Sequence, residues 1–362
     1  MAATSAFEPN WVSPPGATVR ELLKERGVPV RDFAHAAHRD VHQVSKLIYG
    51  LEKLTPDWAD SLSKALGSSP SFWLRREELY RQDLARLCSG SVEATSDWLG
   101  DVSLRELVRL GWVEGGTNQE ELAANVCAFF GVTSEETFRR RYSKVLAASA
   151  YRTSKTVESR PGAVAAWLRQ GEILSAEVDC APWSAELLRS SVDEIRRLTR
   201  EQNPSTFLPK LEAILARCGV AMVVSRTTEG CRASGATRFL SPAKALMLLS
   251  FRYLADDQFW FTVFHEVGHL LLHTQDDIFL EGIESAKPEA ETEADEFARN
   301  TLFARVGTDS LLSVPLTKFA IARLARRADV SPGVVVGHLQ EMGRVPYKHF
   351  NYMKTRYAWS DA

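Results

Sequence analysis

The sequence predicts a mainly α protein with a small β-sheet, an α+β chain built from several units. Three observations carry that expectation. Short amphipathic helices crowd the segment from residue 17 to 88. Helical patterning then continues to about residue 215, broken by "SGS", "GGT" and "SRPGA". Beyond it the composition turns β-branched and apolar in three short runs, and a long apolar helix follows them.

Residues 1 to 16, rich in Pro, Ser and Asn, read as a flexible leader. "TVRELLKERG" sets Val19, Leu22 and Leu23 on one face and ends at Gly27. "VRDFAHAAH" is a second short helix. "DVHQVSKLIYG" is a third, with Asp40 as N-cap and Gly50 as stop. "TPDWADSLSKALG" opens with Thr55 as cap and Pro56 at the first helical position, and "SPSFWLRREELYRQDLARL" repeats that start at greater length. Residues 89 to 204 read as a helical connector without a catalytic pattern. "GVAMVVS", "ATRFL" and "ALMLLSFRYL" are about three strands, the last two joined by "SPAK". The third could offer an edge to an extended peptide. A core region over 205 to 316 and a helical extension over 317 to 362 complete the chain.

The bulk properties exclude several classes. Apolar residues at 45% and charged residues at 25% are ordinary for a soluble globular chain. A net charge of −2 gives the whole molecule no pull toward nucleic acid or anionic lipid. The five cysteines are odd in number and show no CxxC spacing, which argues against a disulfide framework or a cysteine zinc site. No signal peptide is visible, and no apolar run approaches the roughly 18 residues of a membrane span. A cytoplasmic protein without membrane contact is expected.

The chemistry concentrates in "FTVFHEVGHLLLH", residues 261 to 273. On a helix, His265 and His269 share a face and can point two imidazoles at one ion. Glu266, turned about 100° from His265, can miss the ion yet reach its water. This is HExxH, two ligands and a general base. The apolar flanks imply burial, and buried imidazoles need partners, which a metal supplies. Zn²⁺ suits nitrogen and carboxylate donors, and Mn²⁺ is the alternative. His273, two turns past His265, is expected at the helix end or behind the ligands. A third ligand is still required, and the acidic helix "EAETEADEFARNTL" offers Glu291, Glu293, Asp295 and Glu296. Its packed face is marked by Ala294, Phe297, Ala298 and Thr301. Glu293, beside Ala294 and one turn before Phe297, is the best placed of the four.

With these residues in view, "CRASGATRFLSPAKALMLLSFRYLADDQFWFTVFHEVGHLLLH" and "EADEFARNTL" resemble an ImmA/IrrE-type metallopeptidase, over about residues 205 to 357. The resemblance implies a small gluzincin-like domain with His265, His269 and Glu293 on the metal and Glu266 catalytic. It implies a protein substrate, a helix-turn-helix repressor or antitoxin, whose cleavage derepresses stress, phage-defence or mobile-element genes. His273 and Tyr253 are candidates for the oxyanion or for the shell behind the ligands. One departure is "LFARVG", where the family commonly ends that helix in an aliphatic residue and Pro.

Residues 17 to 67 resemble a Cro/repressor-like helix-turn-helix, and the helix that follows is similar to the extension of HigA-type antitoxins. Val44, Leu47 and Ile48 would then pack inward. His42, Gln43, Ser45, Lys46 and Tyr49 would face double-stranded DNA. Between Arg20 and Arg86 stand twelve basic and ten acidic residues, a balance of only +2, weak for phosphate neutralisation. A homodimer, or docking of a protein partner, is the other use of such a module. The whole chain could equally be a regulator or antitoxin that keeps the peptidase fold only for sensing or binding.

Overall fold

The structure is a computed structural model that describes residues 11–89, 104–150, 159–274, 278–281 and 288–359. It is mainly helical with one mixed four-stranded sheet. Two compact units are interleaved along the chain. One comprises Met1–Ala147, Arg160–Asp179 and Thr228–Cys231, and the other holds the remainder. The expected connector is thus shared between them rather than forming a unit of its own. Most of the expected leader lies outside the described residues, and the first helix begins at Pro15.

In the first unit, α1 (Pro15–Glu25), α2 (Val30–Ala36), α3 (Val41–Ile48), α4 (Pro56–Leu66) and α5 (Pro70–Ser89) follow in order. Their caps match the sequence. Asp40 and Gln43 form a reciprocal capping box on α3, and the Thr55 hydroxyl accepts from Trp58 N–H. Val19, Leu23, Phe33, Val44, Leu47, Ile48, Trp58, Leu62 and Trp73 share one apolar core. Between α2 and α3 the backbone turns through His38 at φ 52°. Four further helices follow: α6 (Leu104–Arg109), α7 (Gln119–Phe130), α8 (Glu135–Arg141) and α9 (Ser143–Ala150). The fifth, α10 (Pro161–Ser175), is buried on nearly every side, from Gly162 through Ile173 and again at Ser175. It is the central helix of this unit.

The second unit opens with α11 (Ala185–Leu198) and α12 (Pro204–Arg217). The sheet has β1 (Val220–Val224), β2 (Gly235–Ser241), β3 (Lys244–Leu249) and β4 (Ile278–Glu281), in the order β1-β3-β2-β4. β1 runs parallel to β3, and the other pairings are antiparallel. β3 is therefore interior and offers no free edge, contrary to the expectation for "ALMLLSFRY". The strand also stops at Leu249, because Phe251 and Leu254 turn the chain at φ 51° and 49°. The fourth strand, β4, was not expected. It lies in the acidic stretch and is only four residues long.

Helix α13 (Asp256–Leu272) carries the histidines, and α14 (Pro288–Leu302) carries the acids. α15 (Gly307–Ser313), α16 (Lys318–Ala328), α17 (Pro332–Glu341) and a 3₁₀ turn, Asn351–Met353, follow. Phe259, Trp260, Val263, Phe264 and Val267 of α13 join Met247, Leu249, Ala298, Leu324 and Val335 in one core. Gly268 lets α13 and α14 approach closely: a Cβ there would lie 3.1 Å from Ala294 Cα and 3.2 Å from Phe297 Cδ1. This crossing brings the two functional helices together. Among the described residues no helix is long and apolar enough to cross a membrane.

Candidate metal centre

His265 and His269 are one turn apart on α13 and almost wholly buried. Their Nε2 atoms face each other at 2.9 Å. Glu291 Oε2 of α14 lies 3.2 Å from His265 Nε2 and 3.6 Å from His269 Nε2. Among the described residues these three make the one group of His, Cys, Asp or Glu whose donor atoms converge as a metal would require. A tetrahedral ion with ligands at about 2.0–2.1 Å holds them about 3.3 Å apart. The three separations lie on either side of that value. The donor set fits Zn²⁺.

Glu293 does not join this group. Its side chain is 61% exposed, and its carboxylate lies 3.0 Å from His273 Nε2. The reason is the phase of α14. Its buried stripe is Ala290, Ala294, Ala298 and Leu302. At about 100° per residue, Glu291 stands some 60° to one side of Ala294 and Glu293 some 100° to the other. Glu291's flank faces the two imidazoles, whereas Glu293's flank meets the C-terminal end of α13 at His273. The missed signal was Asp295, four residues after Glu291, an acid pair in step with the histidine pair. Asp295 Oδ1 lies 2.9 Å from His265 Nδ1, so both faces of that ring meet a carboxylate.

Burial and neighbouring carboxylates pull the site's titrating groups in opposite directions. Burial works against a charged His265, yet Asp295 and Glu291, with Glu281 and Glu266 behind them, outweigh it and raise its pKa to about 11. Burial likewise opposes ionisation of Glu291, but hydrogen bonds with His265 and His269 bring its pKa down to about 2. His269, governed mainly by burial, is lowered. Two carboxylates thus flank the His265 ring, and Glu291 Oε1 has no hydrogen-bond partner among the described residues.

Glu266 is fully buried; among the described residues no group meets either carboxylate oxygen with full hydrogen-bond geometry, and the Thr237 hydroxyl is near enough to favour its ionised form. Burial drives its pKa well above the ordinary carboxylate range. It fits only because β2 begins with glycine. A Cβ on Gly235 would lie 2.4 Å from Glu266 Oε1 and 2.6 Å from Thr262 Cγ2. Glu281, opposite Gly235 on β4, is a second acid held above its usual pKa by burial. Two rows before it, Phe279 stacks on the His269 ring at 4.1 Å and 14°. Sequence reading found neither residue, because β4 was not recognised as a strand.

His273 ends α13 as its C-cap, with Nδ1 3.1 Å from His269 Nδ1. It therefore lies behind a ligand, not among the ligands. Tyr253 is half-exposed beneath the Arg252 guanidinium, 5.1 Å from ring centre to Cζ. It lines a cavity of about 520 Å³ with Phe261, Glu281, Phe303, His338 and Tyr347. Phe303, within the departing "LFARVG", stacks on His338 at 4.8 Å and forms part of that wall.

The expected DNA-reading face of α3 is largely used inside its own unit. Ser45 Oγ donates to Ile173 O at 2.5 Å, and Tyr49 Oη donates to Glu172 O at 3.1 Å. His42 Nδ1 pairs with Glu177 Oε1 at 2.7 Å. Arg169 stacks on the Tyr49 ring at 4.6 Å. Gln43 caps its own helix. Lys46 remains half-buried. The periodicity did find the outward face of α3, but α10 covers it.

Comparison with known proteins agrees with this division. Residues 233–340 match the family model described as "IrrE N-terminal-like domain", Peptidase_M78. The N-terminal part is 38% identical over 66 residues to YddM, an uncharacterized helix-turn-helix-type transcriptional regulator of Escherichia coli (strain K12). That match covers 18% of this chain and 70% of YddM. The chain therefore belongs with the helix-turn-helix-type regulators through its N-terminal part and carries an IrrE/ImmA-type peptidase-family domain behind it.

Proposed function

We propose that the chain is a metal-dependent endopeptidase, with zinc as the resident ion, that cleaves a regulatory protein of the repressor or antitoxin type. One observation supports this above the others: His265, His269 and Glu291 converge beside a fully buried Glu266. A divalent ion held there would supply Lewis acidity for the scissile carbonyl and for the attacking water. His265 and His269 would hold it through Nε2 and Glu291 through a carboxylate oxygen. Glu266 accepts the proton of the attacking water and returns it to the leaving nitrogen. Its place beside the two imidazoles, buried and off the ligand positions, suits a group that takes a proton from water and gives it to the leaving nitrogen. The cavity behind Phe261 and Phe303 would receive a substrate side chain.

The likeness to YddM supports a regulatory context and, by that relative's name, contact with DNA. A second reading is favoured by the cover over α3. In it the N-terminal module holds a protein, or its own chain, through the surfaces a repressor would turn to DNA. The test is to incubate the purified chain with Zn²⁺ or Mn²⁺ and the regulators encoded beside it, with Glu266→Gln as control. Metal-dependent cleavage that the variant lacks is expected. DNA binding without cleavage under any metal condition would support a non-catalytic regulator instead.

A further inference from the structure

The third histidine of the segment, His273, occupies a specific place. α13 ends at Leu272, and His273 adopts an extended backbone, φ −115° and ψ 171°. Its N–H still donates to His269 O at 3.1 Å. The side chain therefore returns along the helix rather than continuing its spiral. Nδ1 comes to 3.1 Å from His269 Nδ1, and Nε2 to 3.0 Å from Glu293 Oε2.

We propose that His273 and Glu293 are positioning residues that fix His269 in its metal-ready tautomer. This rests on the metal-centre reading above. With His269 Nε2 turned to an ion, the contacts support a consistent pattern of protons. An ionised Glu293 can only accept, so His273 carries its proton on Nε2 and presents the Nδ1 lone pair. His269 then donates from Nδ1–H to that lone pair, which leaves its Nε2 lone pair facing His265 and Glu291. Each hydrogen of the chain has one acceptor. Phe279 limits rotation of both imidazoles, with its ring 4.1 Å from His269 and 5.0 Å from His273. His265 receives the same service from Asp295 directly. Among the described residues His269 Nδ1 meets His273 rather than a carboxylate, and His273 extends the reach to one.

The exposed Glu293–His273 contact itself adds little to stability, so a purely structural role predicts little change in metal affinity when it is removed. The experiment measures Zn²⁺ dissociation constants of the full chain by competition with a chromophoric chelator. It also reads the His269 tautomer from imidazole ¹⁵N shifts. His273→Phe is expected to weaken Zn²⁺ by about 10- to 100-fold, the range for loss of a group behind a ligand. Glu293→Ala should shift in the same direction by less. His273→Gln, whose amide oxygen can accept from His269 Nδ1–H, should lie closer to wild type than the Phe variant. The melting temperature of the metal-free protein should be unchanged in Glu293→Ala, which keeps the test valid if His273→Phe folds poorly. Wild-type Zn²⁺ affinity and His269 tautomer in both His273→Phe and Glu293→Ala would overturn the proposal. Failure of the wild-type chain to bind Zn²⁺, or intact binding by Glu291→Gln, would overturn the underlying metal-centre reading and is distinguishable from the first result.

Discussion

Asp295 Oδ1 lies 2.9 Å from Nδ1 of His265, whose Nε2 faces Glu291 at 3.2 Å on the opposite side of the ring. A carboxylate behind a ligand imidazole fixes its orientation and raises its basicity. Asp295→Ala is therefore expected to weaken Zn²⁺ by about 10- to 100-fold. A chelator-competition titration checks this, and unchanged affinity would separate Asp295 from the centre.

The identity of the third ligand separates two residues on one helix. Glu291→Gln should abolish stoichiometric Zn²⁺ binding, since an amide oxygen is a poor replacement for a carboxylate in a dry site. Glu293→Gln should retain one ion per chain. Metal content after dialysis, measured by elemental analysis, reads both. The opposite pattern would return the ligand role to Glu293.

Two glycines hold the site open for different reasons. Gly268→Ala would press a methyl group against Ala294 Cα at 3.1 Å. Separating α13 from α14 should cost about 1–3 kcal/mol of stability and weaken the metal. Gly235→Ala would drive a methyl group into Glu266 Oε1, so peptide hydrolysis should fall much more than Zn²⁺ affinity. Equal losses of both in Gly235→Ala would contradict the account of Glu266 as a base that is not a ligand.

Stability should depend on pH through Asp256, at the first position of α13. Burial pushes its carboxyl up to about 6, although Ser331 Oγ, Thr355 N–H and Asp257 N–H all donate to it. The folded pKa lies above the ordinary 3.8, so the folded state binds the proton more tightly. That contribution is complete below about pH 4 and is lost as pH rises through about 6. Relative to Asp256→Asn, wild-type unfolding free energy should fall by about 2 kcal/mol from pH 4 to pH 7.5, at 1.36 kcal/mol per unit. A difference that stays flat across that interval would contradict it.

The covered face of α3 makes its own prediction. Ser45→Ala removes the hydroxyl donor from the Ile173 carbonyl, which keeps only the Ala176 N–H, and should cost about 1 kcal/mol. Lys46→Ala should leave binding to a mixed-sequence duplex unchanged in fluorescence anisotropy at low salt. Weaker binding by Lys46→Ala would restore α3 to the role of reading helix.

What the sequence disclosed followed the range of each signal. HExxH needs only the geometry of one helix, so His265, Glu266 and His269 were legible from spacing. So were the caps at Asp40 and Thr55 and the inward Val44, Leu47 and Ile48. The third carboxylate depends on which flank of α14 meets α13, and the alternation of Ala290, Ala294 and Ala298 leaves both flanks open. Phe279 and Glu281 depend on a four-residue strand within an acidic stretch, too short for a period to show. The cover on α3 comes from residues 172 to 177, more than 120 positions away, and no local pattern encodes such a contact.

The central claim is one ion held by His265 Nε2, His269 Nε2 and a Glu291 oxygen. Crystals of zinc-loaded protein, recorded on both sides of the zinc absorption edge, test it most directly. The account predicts one anomalous peak at about 2.0–2.2 Å from all three atoms. A peak bonded to Glu293 instead, or no peak between the two imidazoles, would contradict it.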